Sequence, residues 1–217
     1  MELIIVLGGG AIGLMSAYQL ALSGQQILLA EAGEIGRESS WAGGGIVSPL
    51  YPWRYDPAVT ALAHWSQDVY AGLSEQLFAL TGIDSEVYVT GLYWLDLDDE
   101  SEALAWARLH GRPLDAVNMA AVYEAVPTLR DGFARAVHMG DVANVRNPRL
   151  VKALHAALLK MPNVSVRENC AVKGFVPEGG RVVGVRTDDG DIAADQVLLT
   201  AGAWSAQLLA TLGLALP

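Results

Sequence analysis

Gly8, Gly10 and Gly13 stand in the spacing G-x-G-x-x-G near the amino terminus. In such a turn the first glycine permits a sharp change of direction. The second leaves room for a phosphate group against the backbone, and the third lets the following helix pack closely on the strand before it. A helix that starts here presents unpaired N–H groups and a partial positive charge to an anion. Glu31 follows 18 residues after Gly13, where a carboxylate ending the next strand can accept hydrogen bonds from ribose hydroxyls. These residues are suited to hold a dinucleotide by its pyrophosphate and one sugar. The glycine spacing does not choose between NAD and FAD.

Such a site needs a strand–helix–strand frame, and the flanking residues supply one. Residues 3–7 form a continuous apolar run, as in a parallel strand covered on both faces. Leu14, Ala17, Tyr18 and Ala21 have helical spacing up to Ser23-Gly24, and a second apolar run over 27–30 ends at Glu31. Residues 33–55 are rich in Gly, Ser, Trp and Pro without periodicity, the mark of a functional loop. Val59, Leu62, Val69, Leu73, Leu77 and Leu80 predict one long amphipathic helix over 57–80. A strand bent at Gly91 is expected over 87–97, and short helices over 99–110 and 119–126. Asn147-Pro148 predicts a helix start, with Asn147 as N-cap and Pro148 as the first helical residue. Strands are expected over 164–166, 171–176, 181–186 and 191–193, with a hairpin turn at Asp189-Gly190. A buried strand over 196–200 leads to Gly202 and a last helix from about Ser205.

Composition removes other classes. The 217 residues hold 14 Lys plus Arg against 24 Asp plus Glu, a net charge of −10, which argues against nucleic acid as a partner. With 52% apolar and 18% charged residues the chain has the material of a packed core, not of a disordered segment. Cys170 is the one cysteine, so no intramolecular disulfide is available, and it reads as an inert core thiol. His64, His110, His138 and His155 have no metal-ligand spacing, and no metal is expected. Asp96, Asp98, Asp99, Glu100 and Glu102 read as a solvated face and helix start, and Trp94 as a core residue. No apolar run is long enough to span a bilayer. The amino terminus has no basic n-region, so no signal peptide and a cytoplasmic location are expected.

The segment Ser39-Ser40-Trp41-Ala42-Gly43-Gly44-Gly45-Ile46-Val47-Ser48-Pro49-Leu50, extended by Tyr51-Pro52-Trp53, resembles the flavin loop of the D-amino-acid oxidase superfamily. Within it, the segment is similar to glycine oxidases of the thiamine-pathway type. The likeness continues through the long helix, residues 144–150, and Thr200-Ala201-Gly202-Ala203-Trp204-Ser205, and so covers essentially the whole chain. It implies that Ala11, Ile12, Glu31, Ala32, Ser39, Ser40, Gly44, Gly45 and Ile46 line FAD beside the Gly8, Gly10 and Gly13 turn. Serine hydroxyls and glycine N–H groups can bond the pyrophosphate and ribityl chain, and the glycines let backbone lie against the ring edge. Val172 resembles the strand residue whose backbone meets the adenine end. Gly202 ends a strand running toward the cofactor, although strand-to-helix packing accounts for it equally well.

The implied fold is α/β: a Rossmann-like FAD-binding domain of the glutathione-reductase type, with part of an inserted, mainly antiparallel substrate domain. The FAD-binding domain is expected over 1–85 and 144–217, and the substrate-domain segment over 86–143. The implied reaction is oxidative deamination of glycine, a small amine or a D-amino acid, linked to thiamine biosynthesis. Hydride passes from the substrate Cα to flavin N5, the imine hydrolyses, and dioxygen reoxidises the flavin to give hydrogen peroxide. In such enzymes the protein mainly positions the substrate, so no catalytic residue is assigned. A homo-oligomer is compatible with this reading.

Superfamily members are longer. The resemblance therefore implies that the rest of both domains is absent, including the arginine that grips the substrate carboxylate. Arg146, Arg149 and Arg186 lie on segments assigned to the FAD domain. The strands over 87–97 are then expected to lack partners, and the isolated chain to bind FAD weakly at most and to turn over no amino acid. Three alternatives stay open: a sister enzyme such as a sarcosine oxidase or D-amino-acid dehydrogenase, a non-catalytic FAD-binding fragment, and an NAD-dependent dehydrogenase.

Overall fold

The computed structural model describes residues 2–216. Met1 and Pro217, the outer ends of the two segments assigned to the FAD domain, lie outside the described residues. The chain begins with β1 (Leu3–Leu7), α1 (Ala11–Leu22), β2 (Gln26–Ala30), α2 (Ser39–Ala42), β3 (Ile46–Val47) and α3 (Pro57–Thr81). Next come β4 (Tyr88–Val89), β5 (Leu92–Leu95), α4 (Glu100–His110), β6 (Leu114–Val117), α5 (Met119–Ala125), β7 (Ala136–Met139) and β8 (Ala143–Asn144). Then follow α6 (Asn147–Leu158), β9 (Val164–Arg167), β10 (Val172–Glu178), β11 (Arg181–Thr187), β12 (Gly190–Ala193), β13 (Gln196–Leu199) and α7 (Ser205–Ala210). They form two compact units, one of Met1–Gly44, Glu75–Ser85 and Arg146–Pro217, the other of Gly45–Ser74 and Glu86–Val145.

The first unit is built on a four-stranded parallel sheet in the order β13-β1-β2-β9. Ile4 to Leu7 and Ile27 to Ala30 are all buried, as strands covered on both faces must be. Ile5, Leu7, Leu28 and Ala30 pack with Phe175 and Val185 of the antiparallel sheet β10-β11-β12. Alternation along the strands turns their neighbours the other way. α1 packs against α6, and each buries an apolar stripe that includes Leu14 and Ala17 on α1 and Leu154 and Leu158 on α6. Asn163 Nδ2 donates to the carbonyls of Ala21 at 2.8 Å and Gln25 at 2.7 Å, which fixes the end of α1 beside β9.

Two local features differ from the sequence expectation. The N-cap of α6 is Arg146, so Asn147 is already helical and Pro148 is the second helical residue. The Asn147 amide lies against Gly43. In the β11–β12 hairpin Thr187 pairs with Gly190, so the loop is Asp188-Asp189 and Gly190 opens the strand at φ +116°.

The second unit contains two three-stranded antiparallel sheets, β5-β7-β6 and β3-β8-β4. Trp94 belongs to its core with Leu97, Ala103, Ala107, Leu114, Val137 and Met139. The strands over 87–97 do not lack partners: β4 pairs with β8, and β5 pairs with β7. The acidic run is likewise more than a solvated face. Asp99 occupies the N-cap position of α4 without a side-chain capping bond, and its carboxylate accepts Trp53 Nε1 at 2.8 Å and Arg54 Nε at 2.7 Å. Asp96 Oδ1 accepts the N–H groups of Ala134 and Arg135, both at 2.9 Å, from a left-handed φ of +46°. Residues 45–74 join this unit in part because β3 pairs with β8 and Gln67 of α3 bonds the Asp141 carbonyl.

Candidate dinucleotide site

The glycine turn forms where β1 stops. Gly8 has a φ of +108°, and a Cβ there would lie 2.6 Å from the Thr200 carbonyl oxygen. A Cβ on Gly13 would collide with the Gly8 carbonyl, so the third glycine lets α1 close on the end of the strand. Thr200 donates its hydroxyl to the Leu7 carbonyl at 2.8 Å, bracing the turn from β13. Gly10 is the N-cap of α1, in an extended conformation with no side-chain cap. A Cβ at Gly10 would meet only Ser40 Oγ, at 3.1 Å, and would otherwise fill open space in front of the helix. That is the cradle a phosphate requires.

Ser39 and Ser40 come to this helix end on α2. Ser40 Oγ accepts the Ala11 N–H at 2.8 Å, partnering one of the first-turn donors. α2 is held against α6 through Gly43, where a Cβ would strike the Asn147 side chain.

Glu31 stands at the end of β2. Its Oε2 accepts the Gly9 N–H at 2.7 Å and its Oε1 accepts the Gly33 N–H at 2.9 Å. The carboxylate therefore ties two loops together as well as facing the cavity. Each oxygen retains a second acceptor position for a sugar hydroxyl. Gly9 lies between the motif positions, and the spacing alone gave it no role. It is buried, and a Cβ on it would run into the Ile35 side chain.

These groups open on one cavity of about 360 Å³. Gly8, Gly10, Ala11, Ile12, Glu31, Ala32, Ser39 and Ser40 line it, together with Val172 at the start of β10 and Gly202, which opens a short 3-10 turn after β13. Gly13 lies beneath it as a packing residue, and Gly44 is not in its wall. Gly45 and Ile46 fall in the second compact unit, where the Gly45 carbonyl accepts the Val145 N–H at 2.7 Å and Ile46 pairs with Asn144. Cys170, half-buried, packs against the core of Ile5, Leu7, Leu28 and Phe175 and also lines the cavity, just before β10 begins at Val172. Thr200, Trp204 and Arg37 line the cavity as well, and no local sequence pattern marks them as site residues.

The wall carries Glu31, Glu34 and Glu38 against Arg37 and Lys173. Lys173 Nζ is 3.1 Å from Asp188 Oδ2. Arg37 Nε donates to Glu34 at 2.8 Å, and its guanidinium lies 5.5 Å over the Trp41 ring. A bound pyrophosphate would add charge to an acidic wall, so the N-terminus of α1 and Arg37 are the groups that can offset it. Ile12, at 70% exposed, is a large apolar side chain at this rim, as expected where a ligand covers it. The residues present fit a dinucleotide. Among the described residues, no cluster of His, Cys, Asp and Glu could hold a metal ion, and no helix is long and apolar enough to cross a membrane.

Similarity to known proteins bears on which dinucleotide this is. The chain is 66% identical over 214 residues to a glycine oxidase of Pseudomonas putida, and 59% identical over 216 residues to one of Pseudomonas aeruginosa. These alignments cover 99% and 100% of this chain, but the chain spans only 59% of the length of either relative. The crystal structure of glycine oxidase from Geobacillus kaustophilus matches with a TM-score of 0.89 at 26% identity, over 100% of this chain and 60% of that one. A family model described as FAD dependent oxidoreductase matches residues 4–217. The glycine turn, the acid-ended second strand and the serine-bearing helix all lie inside that match, and the chain belongs to this FAD-dependent oxidoreductase family.

Proposed function

We propose that this chain is the FAD-holding part of an enzyme that oxidatively deaminates glycine and similarly small amines. The observation that carries the reading is the convergence of the Gly8–Gly13 turn, Glu31 and Ser39-Ser40 on one cavity at the ends of β1 and β2. The glycine oxidase relatives support the substrate class.

In this assignment residues 1–85 and 144–217 hold the cofactor and residues 86–143 belong to the substrate domain. The N-terminus of α1 takes the pyrophosphate, with Ala11 and Ile12 presenting backbone against it. Glu31 orients a ribose through its remaining acceptor positions. Val172 and Cys170 border the adenine end, and Gly44, Gly45 and Ile46 carry backbone toward the flavin ring. Held by these residues, FAD would supply the two-electron redox chemistry of the reaction, with dioxygen as the final acceptor. The chain's own contribution is to hold the cofactor in one orientation, which removes much of the entropic cost of bringing reactants together. The portion of the relatives that this chain does not span is assigned the substrate-carboxylate grip, and residues 1–217 are given no catalytic residue. The location is assigned to the cytoplasm and the pathway to thiamine biosynthesis.

A peroxide-coupled assay on the complete protein tests this. Glycine should be oxidised best among amino acids, with sarcosine and short D-amino acids after it. Preference for bulky D-amino acids, or electron transfer without peroxide, would favour a D-amino-acid dehydrogenase instead.

A further inference from the structure

The faces of α3 are reversed over residues 58–72, all of which lie in the second unit. Thr60, His64 and Gln67 share the inward face. Thr60 is buried and donates its hydroxyl to the Pro52 carbonyl at 3.1 Å, and the His64 ring centre lies 5.7 Å from that of Trp106. Leu62, Trp65 and Val69 point the other way and are 69%, 68% and 45% exposed. A surface helix ordinarily turns its apolar stripe to the core. Here polar side chains point inward and large apolar ones outward, and a contiguous exposed apolar patch marks a contact surface. Ala58, Leu62, Trp65, Val69 and Gly72 follow one another at steps of four and three, the spacing by which one helix seats another. Gly72 has open space in front of it, so a second backbone can come close.

We infer that, in the complete protein, a helix from the part outside residues 1–217 lies along this stripe. Its apolar side covers Leu62, Trp65 and Val69, and it sets a Lys or Arg beside Asp68. The inference rests on the reading of this chain as part of a longer enzyme. Two observations select the occupant. The chain spans 59% of the length of its glycine oxidase relatives, so a large part of such a protein lies outside these residues. A segment of the same polypeptide meets the face at a high effective concentration. The second observation is charge. Asp68 and Glu75 are the charged residues of α3, and no Lys or Arg stands between Arg54 and Arg108. Asp68 directly precedes Val69, at the rim of the stripe. A second copy of α3 would bring no cation to it, whereas a basic-flanked helix offsets its charge.

Hydroxyl-radical footprinting of the unmutated complete protein is the first test. Leu62, Trp65 and Val69 should be protected from oxidation and should stay protected on dilution. Protection that disappears on dilution would assign the face to a second copy, and Trp65 oxidised as fast as free tryptophan would show it uncovered; either result overturns the inference. The photoreactive variant Trp65→p-benzoylphenylalanine then identifies the occupant. In a mixture of isotopically labelled and unlabelled complete protein, the probe should cross-link within one molecule to a segment outside residues 1–217. A Lys or Arg should lie within about one helical turn of the attachment point. A cross-link between labelled and unlabelled molecules, to residues 1–217, or to a segment without that cation would overturn the inference. Neither measurement involves flavin or glycine, so failure here is distinct from failure of the proposed reaction.

Discussion

Glu31 Oε2 accepts the Gly9 N–H at 2.7 Å, so the acid that ends β2 holds the glycine turn that ends β1. The bond couples the two halves of the cradle: the turn that faces the pyrophosphate and the carboxylate that faces the sugar. Glu31→Ala removes this acceptor and the one for Gly33, and leaves partly buried N–H groups unpaired. The expected result is a loss of FAD affinity of about 1–3 kcal/mol, read by equilibrium titration. Glu31→Gln keeps one acceptor oxygen and should lose less. Unchanged affinity in Glu31→Ala would separate this residue from the site.

Gly13 and Gly10 should fail in different ways. A methyl at Gly13 meets the Gly8 carbonyl, a backbone atom that cannot step aside, so Gly13→Ala should lower the thermal midpoint of the protein. At Gly10 only the Ser40 hydroxyl is near, so Gly10→Val should keep the fold and lose FAD. Circular dichroism melting beside a flavin titration separates the two effects. Full FAD binding by folded Gly10→Val would rule out this turn as the phosphate site.

Arg37 should contribute through charge. Arg37→Gln is expected to weaken FAD binding and to flatten its dependence on salt, while riboflavin, which lacks the phosphates, binds equally to both proteins. An equal loss for riboflavin would show that Arg37 acts on the loop and not on the phosphates.

Acid should act on the second unit through Asp99. The Arg54 hydrogen bond, aided by Trp53 Nε1, holds its carboxyl well below the ordinary value of 3.8. A carboxyl whose folded pKa is depressed stabilises the fold above its unfolded value. That contribution is lost as pH falls below 3.8 toward the folded value. Asp99→Asn should therefore be less stable than wild type near neutrality and converge with it in strong acid. Melting curves of both proteins from neutral pH downward would show this, and a constant gap across the range would contradict it.

The frame of the site was legible in the sequence because its signals are local. The apolar run before Gly8, the helical spacing after Gly13 and the acid ending the next run each lie within a few residues of what they predict. What escaped depends on distant partners. Asp99 finds Trp53 and Arg54 about 45 residues earlier in the chain, and nothing in the acidic run announces them. Cys170 becomes a cavity residue only because β10 starts beside the end of β2, where its N–H meets the Glu31 carbonyl at 2.8 Å. β6 and β8 are two to four residues long, too short to display a period, and they exist through pairing with β7, β3 and β4.

Because the chain spans 59% of the length of its glycine oxidase relatives, residues 1–217 alone should hold FAD weakly at most and form no peroxide from glycine. The complete protein should do both. Enzyme-like turnover by the 217-residue chain would show that it carries a substrate grip of its own.

We propose that the Gly8–Gly13 turn, Glu31 and Ser40 hold FAD for the oxidation of glycine. Anaerobic addition of glycine to the purified complete protein, followed by visible absorption, tests it most directly. The expected result is the blue-absorbing band of bound oxidised flavin, its bleaching by glycine, and its return with peroxide when oxygen is admitted. A protein without flavin absorption, or a flavin band that glycine leaves unchanged while bulky D-amino acids bleach it, would show that this site does not serve glycine oxidation.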